Sequence, residues 1–248
     1  MTELSRTFGS LSAEEALRAL YIDFEGQKDQ PPVLLGTLRR SRGPKPHVQH
    51  DIVDASFATL GGRSVTLREA VENVVLRAER GERRIVSWSE HDLRVVRSFF
   101  DEDPELVARF ERRYANARLV AQRWRNKIHD GSKPADGTLG NYLALIGYAI
   151  PAEAAAGNVG ETIRILRGQL EAGRPVTRRQ LERWTDVLEH NRHDCAGMQR
   201  ICLRATTEID AARGRPVAIG GPTAIGGPTA IGRVGDPPEF GWAGAGDS

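Results

Sequence analysis

The chain reads as an α/β protein on a mixed five-stranded sheet, a three-stranded antiparallel meander plus parallel strands, flanked by helices on both faces. Three observations predict this. Three strand-like runs with short connections come first, two strand–helix units follow, and amphipathic helices fill the rest. A chain of 248 residues, 40% of them hydrophobic, can bury a core, which excludes disorder of the whole.

Ser12-Ala-Glu-Glu15 has capping-box spacing and opens a short helix to about Leu20. Tyr21 to Glu25 alternates and stops at Gly26, as a strand does. A second apolar run, Val33 to Leu38, follows Pro31-Pro32, and a third covers Val48 to Phe57. Leu67, Ala70, Val71, Val74, Val75 and Ala78 recur at helical spacing before the terminating Gly81. Arg84 to Trp88 is a short buried-type strand, and Ser89 caps a helix carrying Leu93, Val96, Phe99 and Phe100. Leu106 to Tyr114 is helical, and Ala117 to Ala121 is the expected fifth strand. Leu139–Ile146 and Glu161–Leu170 are amphipathic helices. The last helix spans about Arg178 to Ala211, with an apolar stripe of Leu181, Trp184, Leu188, Cys195, Met198 and Cys202.

Residues 1–213 therefore form the expected domain, and 214–248 a Gly/Pro-rich tail. AIGGPT occurs at Ala218–Thr223 and again at Ala224–Thr229, and Gly-Gly-Pro holds neither a helix nor a central strand, so disorder is expected there. Cys195 and Cys202, two helical turns apart, lie roughly 10 Å from each other, beyond disulfide reach, and read as buried thiols. The absence of a long apolar run and of a secretory start at Met1–Ser10 leads us to expect a cytoplasmic protein without membrane partners.

Net charge is only +2, but 31 of the 35 basic residues are Arg, whose planar fork suits phosphate. Seven basic residues and one acid, Glu111, lie between Arg109 and Lys127. Arg164, Arg167, Arg174, Arg178, Arg179 and Arg183 make a second group. Both could be solvated helix faces or a surface for a polyanion.

Asp23 and Glu25, two apart on a strand, point the same way. At roughly 4 Å and an effective dielectric near 20 they repel by about 4 kcal/mol, a cost that a divalent cation between them removes. Asp92 lies in the first turn of the helix after the Arg84–Trp88 strand. It could face Asp23, or cap its own helix through the spacing Ser89-Glu-His-Asp92, with Glu90 as the other candidate ligand. His190 and Asp194, one turn apart, share a face of the last helix, in a strip with Val187, Gly197 and Ile201; Gly197 is read as leaving room beside Asp194. His193 lies nearby and is expected to be exposed. His47, His50 and Asp51 invite a zinc reading, set aside because a fourth ligand is missing and a strand sends the two imidazoles to opposite faces.

Four stretches, YIDFEG at Tyr21–Gly26, IVSWSEHDLRVV at Ile85–Val96, TLGNYLALIGYAIP at Thr138–Pro151 and HNRHDCAGM at His190–Met198, resemble the DEDD superfamily of RNase H-like 3′–5′ exonucleases. The likeness is to a little-characterised branch found alone or fused to RecB-type nucleases, and it covers about Tyr21 to Ile209. It implies an RNase H-like fold, with Asp23 and Glu25 as the first motif, Asp92 the second and Asp194 the third. Trp88 and His91 stand where many relatives have Asn and an aromatic. Gly26 stands where Thr is frequent, and His190 takes the place of a Tyr four residues before the last Asp. By this resemblance the chain is a metal-dependent nuclease acting on DNA or RNA with two Mg²⁺ or Mn²⁺ ions held by Asp23, Glu25, Asp92 and Asp194. His190 would orient or deprotonate the attacking water. The Arg groups would hold phosphates, and Trp88, Trp124 or Trp184 would stack a base or simply fill the core. The alternative is a non-catalytic nucleic-acid or protein interaction module on the same fold; a third reading is a partner of a larger nuclease or helicase, tethered by its tail.

Overall fold

A computed structural model describes residues 8–27, 30–40, 46–128, 137–151 and 159–214. The chain divides into Met1–Ala218 and Ile219–Ser248, and the AIGGPT tail lies outside the described residues.

Helix α1 (Ala13–Arg18) starts from the anticipated capping box: Ser12 Oγ accepts the Glu15 N–H while the Glu15 carboxylate accepts the Ser12 N–H. The meander follows as β1 (Leu20–Glu25), β2 (Leu34–Arg39) and β3 (His47–Ile52), each antiparallel to the one before. A 3₁₀ helix, Ala55–Leu60, and β4 (Arg63–Ser64) lead into α2 (Leu67–Arg80). Next come β5 (Ile85–Ser87), α3 (Glu90–Phe99), α4 (Pro104–Arg113), β6 (Tyr114–Asn116) and α5 (Ala117–Ile128). The last three are α6 (Leu139–Leu145), α7 (Val159–Glu171) and α8 (Arg178–Ala211).

The sheet has six strands in the order β4-β3-β2-β1-β5-β6, with β5 parallel to β1, β6 parallel to β5 and β4 parallel to β3. It is therefore a mixed sheet flanked by helices, one strand larger than expected. The extra strand, β4, has only two residues, too few to leave a pattern. The third apolar run stops as strand at Ile52, because the Asp54 carboxylate accepts the Ser56 N–H and caps the 3₁₀ turn.

The fifth-strand expectation at Ala117–Ala121 is corrected. Those residues open α5, and the strand is the preceding Tyr114–Asn116. Asn116 Oδ1 accepts the Leu119 N–H, and Ala117, Val120, Ala121 and Trp124 are buried at helical spacing. The stripe on α8 also needs a correction, since Leu181 is exposed. Among the described residues no helix is long and apolar enough to cross a membrane.

Alternation along β1 sorts the layers. Leu20, Ile22 and Phe24 enter a core with α2, α3 and α4, whereas Tyr21 enters the opposite core with α5, α6 and α8. Asp23 and Glu25 share the parity of Tyr21, so they face α8. That helix of 34 residues is about 50 Å long. Its early turns (Trp184, Val187) join a third cluster with Phe57 and α7, and its later turns (Cys195 to Ile209) cover the centre of the sheet. The turn between those regions passes over β1 and β2.

Candidate active site

The C-terminal ends of the parallel pair β1 and β5 open onto one side of the sheet, where a pocket forms in α/β folds. β1 brings Asp23 and Glu25 there. From the end of β5 the chain turns into α3, whose first turn brings Asp92. α8 lowers a single turn containing His190, Asn191 and Asp194.

Asp92 does not cap its own helix. The Ser89 hydroxyl takes that role by accepting the His91 N–H at 3.2 Å. Asp92 is buried and reaches across to β1, where its Oδ1 accepts the Phe24 N–H at 3.0 Å. Glu90 is exposed instead. Tyr114 of β6 stiffens the loop by donating its hydroxyl to the Ser89 carbonyl at 2.6 Å.

Three chain segments thus bring four carboxylates within electrostatic reach of one another. Burial holds the Asp23 carboxyl well above its ordinary value, and the charges of Glu25, Asp194 and Asp92 push it the same way. Burial raises Glu25 to about 7, against the opposing pull of His190. Asp194 is raised by burial and by Asp92, again opposed by His190. Asp92 is raised by burial, and its bond from the Phe24 N–H works in the other direction. His190 Nε2 stands 3.5 Å from Asp194 Oδ2 and 3.9 Å from Glu25 Oε1, so the imidazole lies between the strand and the helix acids.

Each of the four acids has a protein partner in this arrangement: Asn191 for Asp23, the Phe24 N–H for Asp92, and His190 for both Asp194 and Glu25. Among the described residues no three His, Cys, Asp or Glu side chains close on one point as a ready metal cage. The donor set nonetheless fits a hard divalent cation, because carboxylate oxygens are what Mg²⁺ and Mn²⁺ take, and four desolvated, mutually repelling carboxyls are stabilised by positive charge.

Two residues without an assigned role in the sequence reading belong to this site. Asn191 is fully buried, and its Nδ2 donates both to the Asp23 backbone carbonyl (3.0 Å) and to Asp23 Oδ2 (2.9 Å). Its Oδ1 is buried without a hydrogen-bond partner, which ordinarily costs about 1–3 kcal/mol. Gly36 of β2, directly opposite Asp23, makes room for it: a Cβ at Gly36 would lie 1.6 Å from Asn191 Oδ1. A lone glycine within the strand pattern VLLGTL was the available signal of such a close approach.

Several expectations do not hold. His193 is buried rather than exposed: its Nδ1 lies 2.9 Å from the Tyr148 hydroxyl and its Nε2 3.1 Å from Arg192. It braces α8 against the chain after α6 and cannot stand in for His190. Gly197 makes room for Leu143 of α6, whose Cδ1 would lie 2.8 Å from a Cβ there, and not for Asp194. Trp124 and Trp184 are core residues, Trp124 donating its Nε1–H to Glu208 at 2.6 Å. Trp88 alone of the three is half-buried, edge-on to Tyr142 at 5.4 Å beside the site loop.

The two Arg groups divide by partner. Arg167 is buried, clamped by Gln27, Gln30, the Pro31 carbonyl and Asp54, so it serves the fold. Arg164 and Arg178 pair with Glu161 and Glu182, and Arg109 with Glu79. α5 differs: it has no acid, and among the described residues Arg118, Arg125 and Lys127 have no carboxylate partner. Arg118 and Arg125 lie at i and i+7, on one face with Gln122. The Arg118 N–H donates to the Trp88 carbonyl at 3.0 Å, so this basic face begins at the site.

No protein-family model, curated protein or solved structure matches the chain.

Proposed function

We propose that the protein is a metal-dependent nuclease of RNase H-like architecture, hydrolysing phosphodiester bonds of DNA or RNA, with 3′–5′ exonucleolytic cleavage as the reading that its resemblance favours. The observation that carries it is the gathering of Asp23, Glu25, Asp92 and Asp194, four acids from three distant segments, into one desolvated group, each raised chiefly by burial and the first two and the last also by neighbouring acids. A fold gains nothing from such repulsion unless a cation relieves it. The sheet order, with a meander on one side of β1 and parallel strands on the other, supports the architecture.

Asp23, Glu25, Asp92 and Asp194 would hold Mg²⁺ or Mn²⁺, which supplies an activated water and charge neutralisation at the scissile phosphate. His190, set between Glu25 and Asp194, can orient that water and take its proton. Arg118, Arg125 and Lys127 attract backbone phosphates without reading sequence, and Trp88 offers an aromatic edge beside them. Such an enzyme would act in the cytoplasm and need no membrane.

Incubating the protein with an end-labelled oligonucleotide and Mg²⁺ or Mn²⁺ tests this. Progressive shortening from the 3′ end is expected, stopped by chelator and lost in folded Asp23→Ala and Asp194→Ala. Full activity in either variant, or hydrolysis indifferent to chelator, defeats the reading. Salt-sensitive oligonucleotide binding that survives chelator, without turnover, would favour the non-catalytic module instead.

A further inference from the structure

We propose that Asn191 is a positioning residue that fixes the Asp23 carboxylate, and that Gly36 exists in β2 to admit it. This deepens the nuclease reading and rests on it. Both hydrogens of one Nδ2 go to one residue, one to the Asp23 carbonyl and one to Asp23 Oδ2. The carboxylate is thereby tied to its own backbone, so its side-chain torsion is fixed by a group outside the strand. The assignment of the amide is unambiguous, because both acceptors are oxygens and only the nitrogen end can serve them.

The amide's other end identifies the purpose. Oδ1 is buried and unpartnered, so a residue present only to fill this space would be better apolar. The protein retains a half-satisfied amide because its donors are needed at Asp23. Gly36 is the second, independent sign. It faces Asp23 in register, between Leu35 and Thr37 of β2, and a Cβ there would meet Asn191 Oδ1 at 1.6 Å, Cγ at 2.6 Å and Nδ2 at 3.0 Å. No side chain at 36 is compatible with this placement of the amide. One turn of α8 therefore delivers the His190 imidazole and the Asp194 carboxylate, and locks the third group, Asp23, from above.

The test uses Asn191→Ala, Gly36→Ala and the double variant in the full chain, with kcat, KM, half-saturating Mn²⁺ and thermal unfolding measured for each. Loss of a group that orients a metal ligand is expected to lower kcat or metal affinity about 10- to 100-fold in Asn191→Ala, with KM for oligonucleotide within about twofold. Gly36→Ala should show the same signature by displacing the amide. In the double variant the added methyl refills the space: the unfolding temperature should recover while kcat stays at the Asn191→Ala level. Recovery of kcat would mean that Asn191 merely fills volume, and would overturn the proposal. So would unchanged kcat and metal demand in Asn191→Ala. Should the wild-type chain neither hydrolyse oligonucleotides nor bind Mn²⁺, the nuclease reading fails by itself. The positioning claim is then decided by the Asn191 carboxamide protons in NMR. Slow exchange in wild type, accelerated by Asp23→Ala, supports it, and rapid exchange in wild type overturns it.

Discussion

Glu25 shows how a single side chain makes the whole fold pH-sensitive. Its carboxyl titrates near 7 in the folded protein and near its ordinary 4.5 when unfolded. The folded state therefore binds the proton more tightly, and the stability this confers is complete below about pH 4.5 and is lost as pH rises through 7. The difference is on the order of 3 kcal/mol. Asp23, also raised, acts in the same direction. Asp54, Glu79 and Asp103, whose carboxyls are lowered, act only at more acidic pH. The imidazoles of His50 and His193, lowered by burial, offset part of the gain as pH falls through about 6.5 without matching the four raised acids. Cation-free protein should thus unfold at higher temperature at pH 5 than at pH 8, and added Mn²⁺ should raise the pH 8 value far more than the pH 5 value. A cation-free protein that is more stable at pH 8 would contradict the desolvated cluster. By the same logic Asp23→Asn, which keeps an acceptor for Asn191, should stabilise the cation-free chain at pH 8 by about 1–3 kcal/mol while abolishing hydrolysis. Calorimetric unfolding and the oligonucleotide assay read the two effects separately.

At the scale of elements, similar arginines have different work. On α5, Arg118 is exposed and Arg125 half-buried against the Tyr142 hydroxyl and Asn126, neither with a carboxylate partner among the described residues. Arg118→Ala should therefore leave the unfolding temperature nearly unchanged, and Arg125→Ala should lower it only slightly. Each should weaken oligonucleotide binding and lower the slope of log K against log salt by about 1. Arg167 lies within a clamp between α7 and the loop after β1. Arg167→Ala should cost about 1–3 kcal/mol of stability, since it removes the buried guanidinium that bridges Gln27, Gln30, the Pro31 carbonyl and Asp54, and leave the salt slope intact. A shifted slope in Arg167→Ala, or an unshifted one in both α5 variants, would reverse this division of labour. Sequence spacing could not make the distinction, because partners such as Asp54, 113 residues away, meet Arg167 only in the folded chain. The same holds for β6 and α5. Ala117–Ala121 is apolar enough for either element, and the deciding features are the Asn116 cap and the burial of Trp124 three residues further on. The long helix was legible because its periodicity persists from Trp184 to Cys202; what the pattern left open was the identity of its edge residues, exposed Leu181 and buried His193.

Across the whole molecule, the arrangement of layers turns local alternation into a site. Tyr21, Asp23 and Glu25 share one face of β1, so the core that buries Tyr21 also draws the acids beneath α8. The turn from β5 into α3 brings Asp92 to the same end. The acids themselves were readable from sequence, as strand parity for Asp23 and Glu25 and as helix spacing for His190 and Asp194. What holds them was not: Asn191 and Gly36 act through a contact across 155 residues of chain, visible only once α8 lies on β2. The central claim is that four separated carboxylates form one divalent-cation site. Calorimetric titration of Mn²⁺ into metal-free protein at pH 8 tests it most directly, with Asp92→Asn as comparison, because that variant keeps an acceptor for the Phe24 N–H and loses only the charge. Saturable binding by the wild type, weakened about tenfold or more in Asp92→Asn, is the predicted result; no saturable binding, or equal binding by both proteins, would contradict the account.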